Sequence, residues 1–521
     1  MTFSSTADPA TGVYGTLHVP LPTATQAAAA DAVSHRKYNT PDRVLMESAG
    51  RAAALVLQRL YPEGRVVGVA GSGHNGGDLL VMLRVLHAWG RDVAVIAAGS
   101  APPDTTLLHG ESLEIIAADN AGDALSHAAV IVDGMLGTGA QGPPRGRIID
   151  WIRRVNDAAA PVLALDLPTG VDPTSGAAAD NAVRADVTVT FGWPKLGMLL
   201  HPARGLCGRL VAVEIGFPPG SVQSDARLIT PAWVRRHLRP RDASAHKGAA
   251  GRLLVLAGHE GMAGAAAIAG QAALRAGAGL VRIASESINR VILQTLVPEA
   301  TFLDRAALNA DDLEPMHAVI AGPGLGTDAS ARKALSSALE IMAGKPALLD
   351  ADALNLHAEE PGALRDIAGG RPLVITPHAR ELSRISHEPL EDILDDMPGA
   401  ARAAARDFNC IVLLKGQPSL IALPDGTLMV NAVGSSDTAT AGMGDQLAGT
   451  IGAMLAGGYE AVAAAALGLF LSGRAADLAG LGRSLTPKDV SGHLAAAIAD
   501  PGPVASTLDL PFVTFDQPAR R

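Results

Sequence analysis

RVVGVAGSGHNGGDLL, residues 65 to 80, sets a short apolar run against a glycine-rich loop and then returns to leucine. Residues 65 to 70 read as a strand, the glycines as a tight turn, and the return to leucine as a helix start. That succession is the repeating unit of a parallel α/β sheet. Working outward, similar runs recur as DVAVIAA from Asp92, AVIVDG from Ala129, PVLALD from Pro161, DVTVTF from Asp186 and RLVAVE from Arg209, several separated by helix-length segments. Upstream, Val44, Leu45, Ala49, Ala52, Ala53, Val56 and Leu60 recur at helical spacing behind Thr40, a candidate N-cap, and Pro41 at the first helical position. The pattern predicts a mostly parallel sheet covered on both faces by helices, with a loose leader over residues 1 to about 22.

A turn-rich stretch, FPPGSVQSDARLITP from Phe217 to Pro231, interrupts the series and reads as a domain boundary. A second α/β series follows: GRLLVLAG from Gly251, GLVRIA from Gly279, HAVIAG from His317, PALLDAD from Pro346, PLVIT from Pro372 and CIVLLKG from Cys410. The halves share a class without a fixed-period repeat. Two α/β domains, about 20 to 220 and 230 to 500, are expected. A length of 521 residues accommodates them, and 48% hydrophobic against 18% charged residues supplies buried cores rather than a disordered chain. The longest nearly apolar run, 461 to 471, is shorter than the ~18 residues of a membrane span, and the first Lys or Arg is Arg36, so no membrane segment or targeting leader is expected and the cytoplasm is the default compartment. Cys207 and Cys410 fall in different predicted domains without metal-ligand spacing and read as core residues. The net charge of −10 argues against a nucleic-acid partner.

Gly71, Gly73 and Gly76 formally satisfy G-x-G-x-x-G. A dinucleotide-binding loop of that kind needs an acid at the end of the second strand, whereas Asp92 begins that strand and AAGS ends it, which makes a nicotinamide-dependent dehydrogenase the weaker reading. The loop instead offers backbone N–H groups at a helix start, with the side-chain oxygens of Asn75 and Asp78 beside them. Two further strand ends carry polar loops, IVDGMLGTGAQGPPRG from Ile131 and ALDLPTGVDPTSG from Ala164. Ligands of open parallel sheets bind beyond the carboxyl ends of strands, so Asn75, Asp133, Asp166 and Thr169 are expected to converge on hard oxygen ligands and a proton-transferring carboxylate.

HNGGD, VDGMLGTG and DLPTG together resemble the signatures of the NAD(P)H-hydrate epimerase family, with His74, Leu79 and Thr169 as departures from its usual Asn, Gly and Ser. The resemblance implies potassium held by Asn75, Asp133 and Thr169. It also implies substrate contacts from His74, Asn75, Gly76, Gly77, Asp78, Gly137, Thr138 and Gly139, in a loop running on to Pro143, and Asp166 as acid/base. Lys195, in FGWPKLGM, reads either as a substrate-phosphate contact or as an ordinary solvated lysine.

In the second half no G-x-x-x-x-G-K-[ST] occurs, which disfavours a P-loop ATPase. TATAGMGDQLAGTIGAMLAGG from Thr438 instead leads Gly442 and Gly444 into an apolar-periodic helix with Asp445 at its start, where backbone N–H groups could stabilise a transferring phosphoryl group while the carboxylate takes a proton. With SAHKG at Ser244, GHEGMAGA, GPGLG, DADALN, TPHARE and LKGQPS, this half is similar to the ribokinase-like dehydratases that restore NAD(P)H from its hydrate with ATP or ADP, Ala379, Arg380 and Ser419 being departures. The resemblance implies Gly264, Ala265, Gly326, His378 and Asp445 facing the hydrate. Lys415, Gly416, Gln417, Pro418, Ser419 and Gly444 would face the adenine nucleotide, with magnesium on the phosphoryl donor. It further implies NADH- and NADPH-hydrate as substrates and a homo-oligomer. A small-molecule kinase with a non-catalytic nucleotide-binding N-terminal half is the competing reading.

Overall fold

The computed structural model describes residues 19–99, 104–140, 142–240, 250–360 and 362–519. The SAHKG motif at Ser244 lies outside the described residues. The chain divides into two compact units. The first runs through Thr230 and is taken up again at Pro503, and the second spans Pro231–Gly502.

In the first unit the strands are β1 (Val19–Pro20), β2 (Val66–Ala70), β3 (Val93–Ala97), β4 (Glu114–Ile116), β5 (Val130–Gly134), β6 (Val162–Leu165), β7 (Val187–Phe191), β8 (Arg209–Val213) and β9 (Ala226–Ile229). In the second they are β10 (Arg252–Leu256), β11 (Leu280–Ser285), β12 (Thr301–Asp304), β13 (Ala318–Ala321), β14 (Ala347–Leu349), β15 (Leu373–Ile375), β16 (Ile411–Leu414), β17 (Ser419–Ala422) and β18 (Leu428–Asn431). The chain then returns to the first unit with β19 (Val513–Gln517).

The first unit's sheet has the order β19-β8-β7-β6-β5-β2-β3-β4, parallel throughout except β19, which runs antiparallel to β8. Its strands are buried on both faces, and alternate residues serve opposite cores: Val66 and Val132 face one cluster, Val67, Val69 and Ile131 the other. Helices α1 (Ala24–Tyr38), α2 (Asp42–Leu60), α3 (His74–Ala88) and α4 (Arg147–Asp157) accompany this sheet. Helix α2 starts one residue later than expected, with Pro41 in the cap position and no side-chain cap, so Thr40 is not the N-cap. Helix α1 was not anticipated. Its alanine-rich face carries little periodic signal, and a capping box between Thr23 and Gln26 starts it.

Two features depart from the expected organisation. The turn-rich stretch contains β9, which pairs antiparallel with β1. And β19, from beyond the second series, completes the first sheet, where Arg209 grips Asp516 with two hydrogen bonds of 2.8 and 2.6 Å.

Within the second unit nine strands run β18-β17-β16-β15-β14-β13-β10-β11-β12, parallel from β16 to β12, with β17 and β18 antiparallel. Helices α5 (Ala263–Arg275), α6 (Ala379–Ser386), α7 (Met443–Ala456), α8 (Ala461–Ala479) and α9 (Pro487–Ala499) belong to it. The apolar run at 461 to 471 extends into α8, whose 19 residues do meet the length and composition of a membrane span. It is 61% buried inside the unit.

Both sheets reverse their strand order once, between β2 and β5 in the first and between β10 and β13 in the second. At such a reversal the loops leaving adjacent strands diverge and open a crevice.

Candidate active sites

In the first unit the crevice is a cavity of about 940 Å³ lined by the loops after β2, β5 and β6, by α1 and by Trp193 and Lys195. The glycines of the first loop mainly permit close backbone approach. A Cβ on Gly71 would lie 1.9 Å from the Met135 carbonyl oxygen, and one on Gly76 would lie 2.0 Å from that of Gly71. Gly76 and Gly77 sit inside α3 and do not line the cavity. His74, Asn75, Asp78, Gly137, Thr138 and Gly139 do.

Asp166 follows β6 with φ 62°, a left-handed conformation that turns its carboxylate into the cavity. Lys195 Nζ donates to its Oδ1 at 2.6 Å and the Thr138 N–H donates to Oδ2 at 3.0 Å. Burial works against its charge, but the Lys195 ammonium and the Thr138 bond outweigh burial and hold Asp166 below the usual carboxylate range. Lys195 is therefore not a solvated loop lysine. It is 3% exposed and also donates to the Thr190 hydroxyl and the Phe191 carbonyl, at 2.8 and 3.1 Å. Trp193 and Phe217, stacked with ring centroids 4.8 Å apart, add an aromatic wall that no motif announced.

Asp133 and Thr169 do not line the cavity; they are fully buried and bound to each other. The Thr169 hydroxyl and N–H each donate to Asp133 at 2.8 Å, and the Met135 N–H adds a third bond at 3.1 Å. Burial still pushes Asp133 up to about 6. Asn75 differs. It is 6% exposed, and both ends of its side-chain amide lack a partner. A buried amide of this kind is satisfied by a water, a ligand or an ion, and its oxygen is of the type that potassium takes. Asp133 and Thr169 offer oxygens of the right type, already engaged with each other.

In the second unit Asp445 stands in the first turn of α7, behind Gly442 at φ 85°. Burial and the nearby Asp350 raise its pKa to about 7, with Lys415 opposing and Asp352 adding. Lys415, just beyond β16, donates to Asp350 Oδ1 at 2.7 Å and lies 3.7 Å from Glu381. Burial alone would depress this lysine, but Asp350 and Glu381 reverse the direction and keep it charged. A Cβ on Gly444 would sit 3.5 Å from Lys415 Nζ and 3.6 Å from Asp350 Oδ2, so Lys415, Asp350, Gly444 and Asp445 form one cluster.

His378 caps α6, its Nδ1 accepting from the Glu381 N–H at 3.1 Å. Gly416 and Gln417 are exposed and Pro418 is buried. The Ser419 hydroxyl donates to the Gly416 carbonyl at 3.0 Å and closes that turn. Across the strand-order reversal, the turn before α5 meets the GPGLG loop: a Cβ on Gly324 would touch Met262 and Ala265, and the Gly326 N–H donates to Asp352 at 2.9 Å. Gly264 is exposed beside them. Asp350 and Asp352 thus hold the site together from the DADALN loop, a motif noted in the sequence without an individual role for either.

Two parallel-sheet units, each with a lysine-paired carboxylate beyond its strand ends, define a fusion of a Rossmann-like and a ribokinase-like enzyme. Residues 42–197 match the family described as YjeF-related protein N-terminus, and residues 253–496 the NAD(P)H-hydrate dehydratase family. The bifunctional NAD(P)H-hydrate repair enzyme of Moorella thermoacetica is 35% identical over 489 residues, covering 88% of this chain and 92% of that protein. Its counterpart from Escherichia coli is 34% identical, covering 83% and 84%. A solved Bacillus subtilis structure, an ADP/ATP-dependent NAD(P)H-hydrate dehydratase co-crystallised with ATP and Mg2+, is 29% identical with a TM-score of 0.46, covering 52% of this chain and 96% of that one. The chain belongs to the family of bifunctional NAD(P)H-hydrate repair enzymes.

Proposed function

We propose that the protein repairs hydrated NADH and NADPH in two steps, epimerising the R and S hydrates in the first unit and dehydrating the S hydrate in the second at the expense of ADP or ATP. The observation that carries the reading is the pairing of chemistry with place. Asp166 is held ionised by Lys195 at the strand-order reversal of one sheet, and Asp445, near neutrality in pKa, stands with Lys415 at the helix start of the other.

The hydrate carries a hydroxyl on the carbon beside the ring nitrogen. When that hydroxyl leaves, the nitrogen lone pair forms an iminium to which water adds from either face. Asp166 takes the proton of the entering water, and the Trp193–Phe217 wall covers the ring.

In the second unit Asp445 accepts the proton of the hydrate hydroxyl as it attacks the terminal phosphoryl group, a task suited to a carboxylate titrating near the working pH. Lys415 and the first turn of α7 stabilise the phosphoryl charge. Phosphate then leaves as the ring nitrogen drives it out, and NADH or NADPH is regenerated. Gly264, Ala265, Gly326 and His378 border the hydrate, and residues 415–419 with Gly444 border the nucleotide.

Magnesium would ride on the donor phosphates, the usual arrangement for this small ion. Among the described residues there is no cluster of three or more His, Cys, Asp or Glu side chains for a protein cage. Potassium would meet the unpartnered Asn75 amide, with Thr169 and Asp133 behind it. A higher melting temperature in KCl than in NaCl at equal ionic strength, absent in Asn75→Leu, tests that placement. We place the enzyme in the cytoplasm as a homo-oligomer, which sedimentation will check. A mixture of both hydrates supplied with magnesium and either ADP or ATP tests the whole reading. NADH should accumulate to completion with at least one donor, whereas accumulation of a stable phosphorylated small molecule would favour a kinase.

A further inference from the structure

Both oxygens of Asp166 are committed, one to Lys195 and the other to the Thr138 N–H, and its proton affinity is depressed. Such a carboxylate accepts a proton from an adding water but is a poor donor to a departing hydroxyl. Epimerisation needs both events, on opposite faces of one carbon. Hydroxide is a poor leaving group, so the face that loses oxygen needs an acid, which Asp166 can serve only after it has been protonated.

The cavity holds a second carboxyl on a different element. Asp31 lies on α1, an element other than the strand ends that present Asp166, and lines the same cavity. Helix α1 is fastened at its start beside the active-site loops: the Ala24 N–H donates to the Thr174 hydroxyl at 3.0 Å, and the Leu196 N–H, next to Lys195, donates to the Pro22 carbonyl at 3.1 Å. The buried, unpartnered amide of Asn75 lines the same cavity as both carboxyls.

We propose that Asp31 is a second catalytic acid/base of the epimerase site, acting on the face of the hydrated ring that Asp166 does not reach. The inference rests on the epimerase reading of the first unit and adds to it a residue outside the signature loops. In the forward direction the Asp31 carboxylic acid gives its proton to the hydroxyl as the carbon–oxygen bond breaks, and the ring-nitrogen electron pair forms the iminium bond. Water then bonds to the same carbon from the Asp166 side, the iminium pair returns to nitrogen, and the water proton passes to Asp166. The reverse reaction exchanges the two roles, and solvent resets the protonation.

Asp31 is solvent-exposed, and partial loss of hydration where it borders the cavity raises it to about 6. Lys195 opposes the rise, Asp166 and Asp42 add to it, and His74 opposes it. Asp78 and His35 complete the ionisable lining. Asp31 is thus partly protonated near neutrality, as an acid that must also act as a base requires.

The test starts from a single hydrate epimer, without nucleotide, and follows appearance of the other by chromatography in the full-length wild type, Asp31→Asn and Asp31→Glu. The Asn variant should lose at least about 100-fold in kcat with KM changed little, and the Glu variant should recover part of the loss. The wild-type kcat/KM profile should bend near pH 6, a bend that the Asn variant lacks. The calorimetric transition of the first unit in the same samples, unchanged in Asp31→Asn, reports that this unit is folded. An Asn variant within about threefold of wild type and keeping the bend would overturn the role of Asp31 while leaving the epimerase reading intact. A wild type that interconverts nothing would overturn both.

Discussion

Asp445→Asn should abolish dehydration and stabilise the second unit, and the size of the gain can be worked from its surroundings. Burial and the neighbouring carboxylates lift Asp445 from an ordinary 3.8 to about 7. For a carboxyl raised on folding, the native state binds more protons than the unfolded chain between these values. Stability is therefore retained at low pH and lost as pH climbs to the folded value. A rise of about three units corresponds to roughly 4 kcal/mol of destabilisation above pH 7, and solvent relaxation around a partly accessible side chain reduces this to about 2 kcal/mol. At ~2–4 °C per kcal/mol, the neutral amide should raise the melting temperature of the second unit by about 5 °C at pH 8. At pH 5 the gain should fall to less than half, because the wild-type carboxyl is then mostly protonated. Calorimetry without nucleotide or magnesium measures both numbers, and NADH recovery from the S hydrate measures activity. An unchanged or lower melting temperature at pH 8 would refute the account of Asp445 as a carboxylate held against its solvation. Retained turnover would reduce it to a helix cap.

Asp166→Ala supplied with both epimers, magnesium and the preferred nucleotide should give a biphasic trace, normal consumption of one epimer followed by the uncatalysed rate for the other. A trace like that of wild type would remove Asp166 from the chemistry. Lys195→Met strands a buried carboxylate and should cost roughly 3–5 kcal/mol in denaturant unfolding of the first unit. Combining it with Asp166→Asn should restore most of that loss, and strict additivity would contradict the pairing. Ending the chain at Gly502 removes β19 and exposes the edge of β8, so the first unit should melt earlier and lose epimerase activity while dehydratase turnover persists. Equal melting of the truncated and full-length first unit would show that β19 contributes nothing to its stability.

Six strand runs in each sheet were legible because fully buried parallel strands are short, apolar and flanked by glycine or polar turns, whereas the partly exposed edge strands β4 and β12 and the antiparallel β17 and β18 were not read. The loops after β2, β5 and β6 were legible as well, and the cavity they border holds Asn75, Asp78 and Asp166. What escaped was carried by weak local signals or by long-range partners. In ATQAAAADAV alanine faces every side and gives α1 little amphipathic contrast. The strand β9 hides among Pro and Ser, and β19 is recognisable only once β8 offers it an edge. Lys195 is 29 residues from Asp166 in sequence, and nothing local distinguishes a lysine that folds inward onto a carboxylate from one that reaches for solvent. Gly76 shows the opposite limit: its place in a motif suggested ligand contact, whereas its missing side chain makes room for the Gly71 carbonyl.

The return of the chain at Pro503 also sets a timetable for biosynthesis. The ribosome completes β8 long before it reaches β19, and the whole second unit is made in between. At ~10 residues per second that interval is roughly half a minute, during which the sheet of the first unit has an open edge on a nascent chain. The second unit can close as soon as its own residues emerge, whereas the first must wait for β19. A chain interrupted near its end would therefore leave the ribosome able to dehydrate one epimer while lacking a finished partner to supply it.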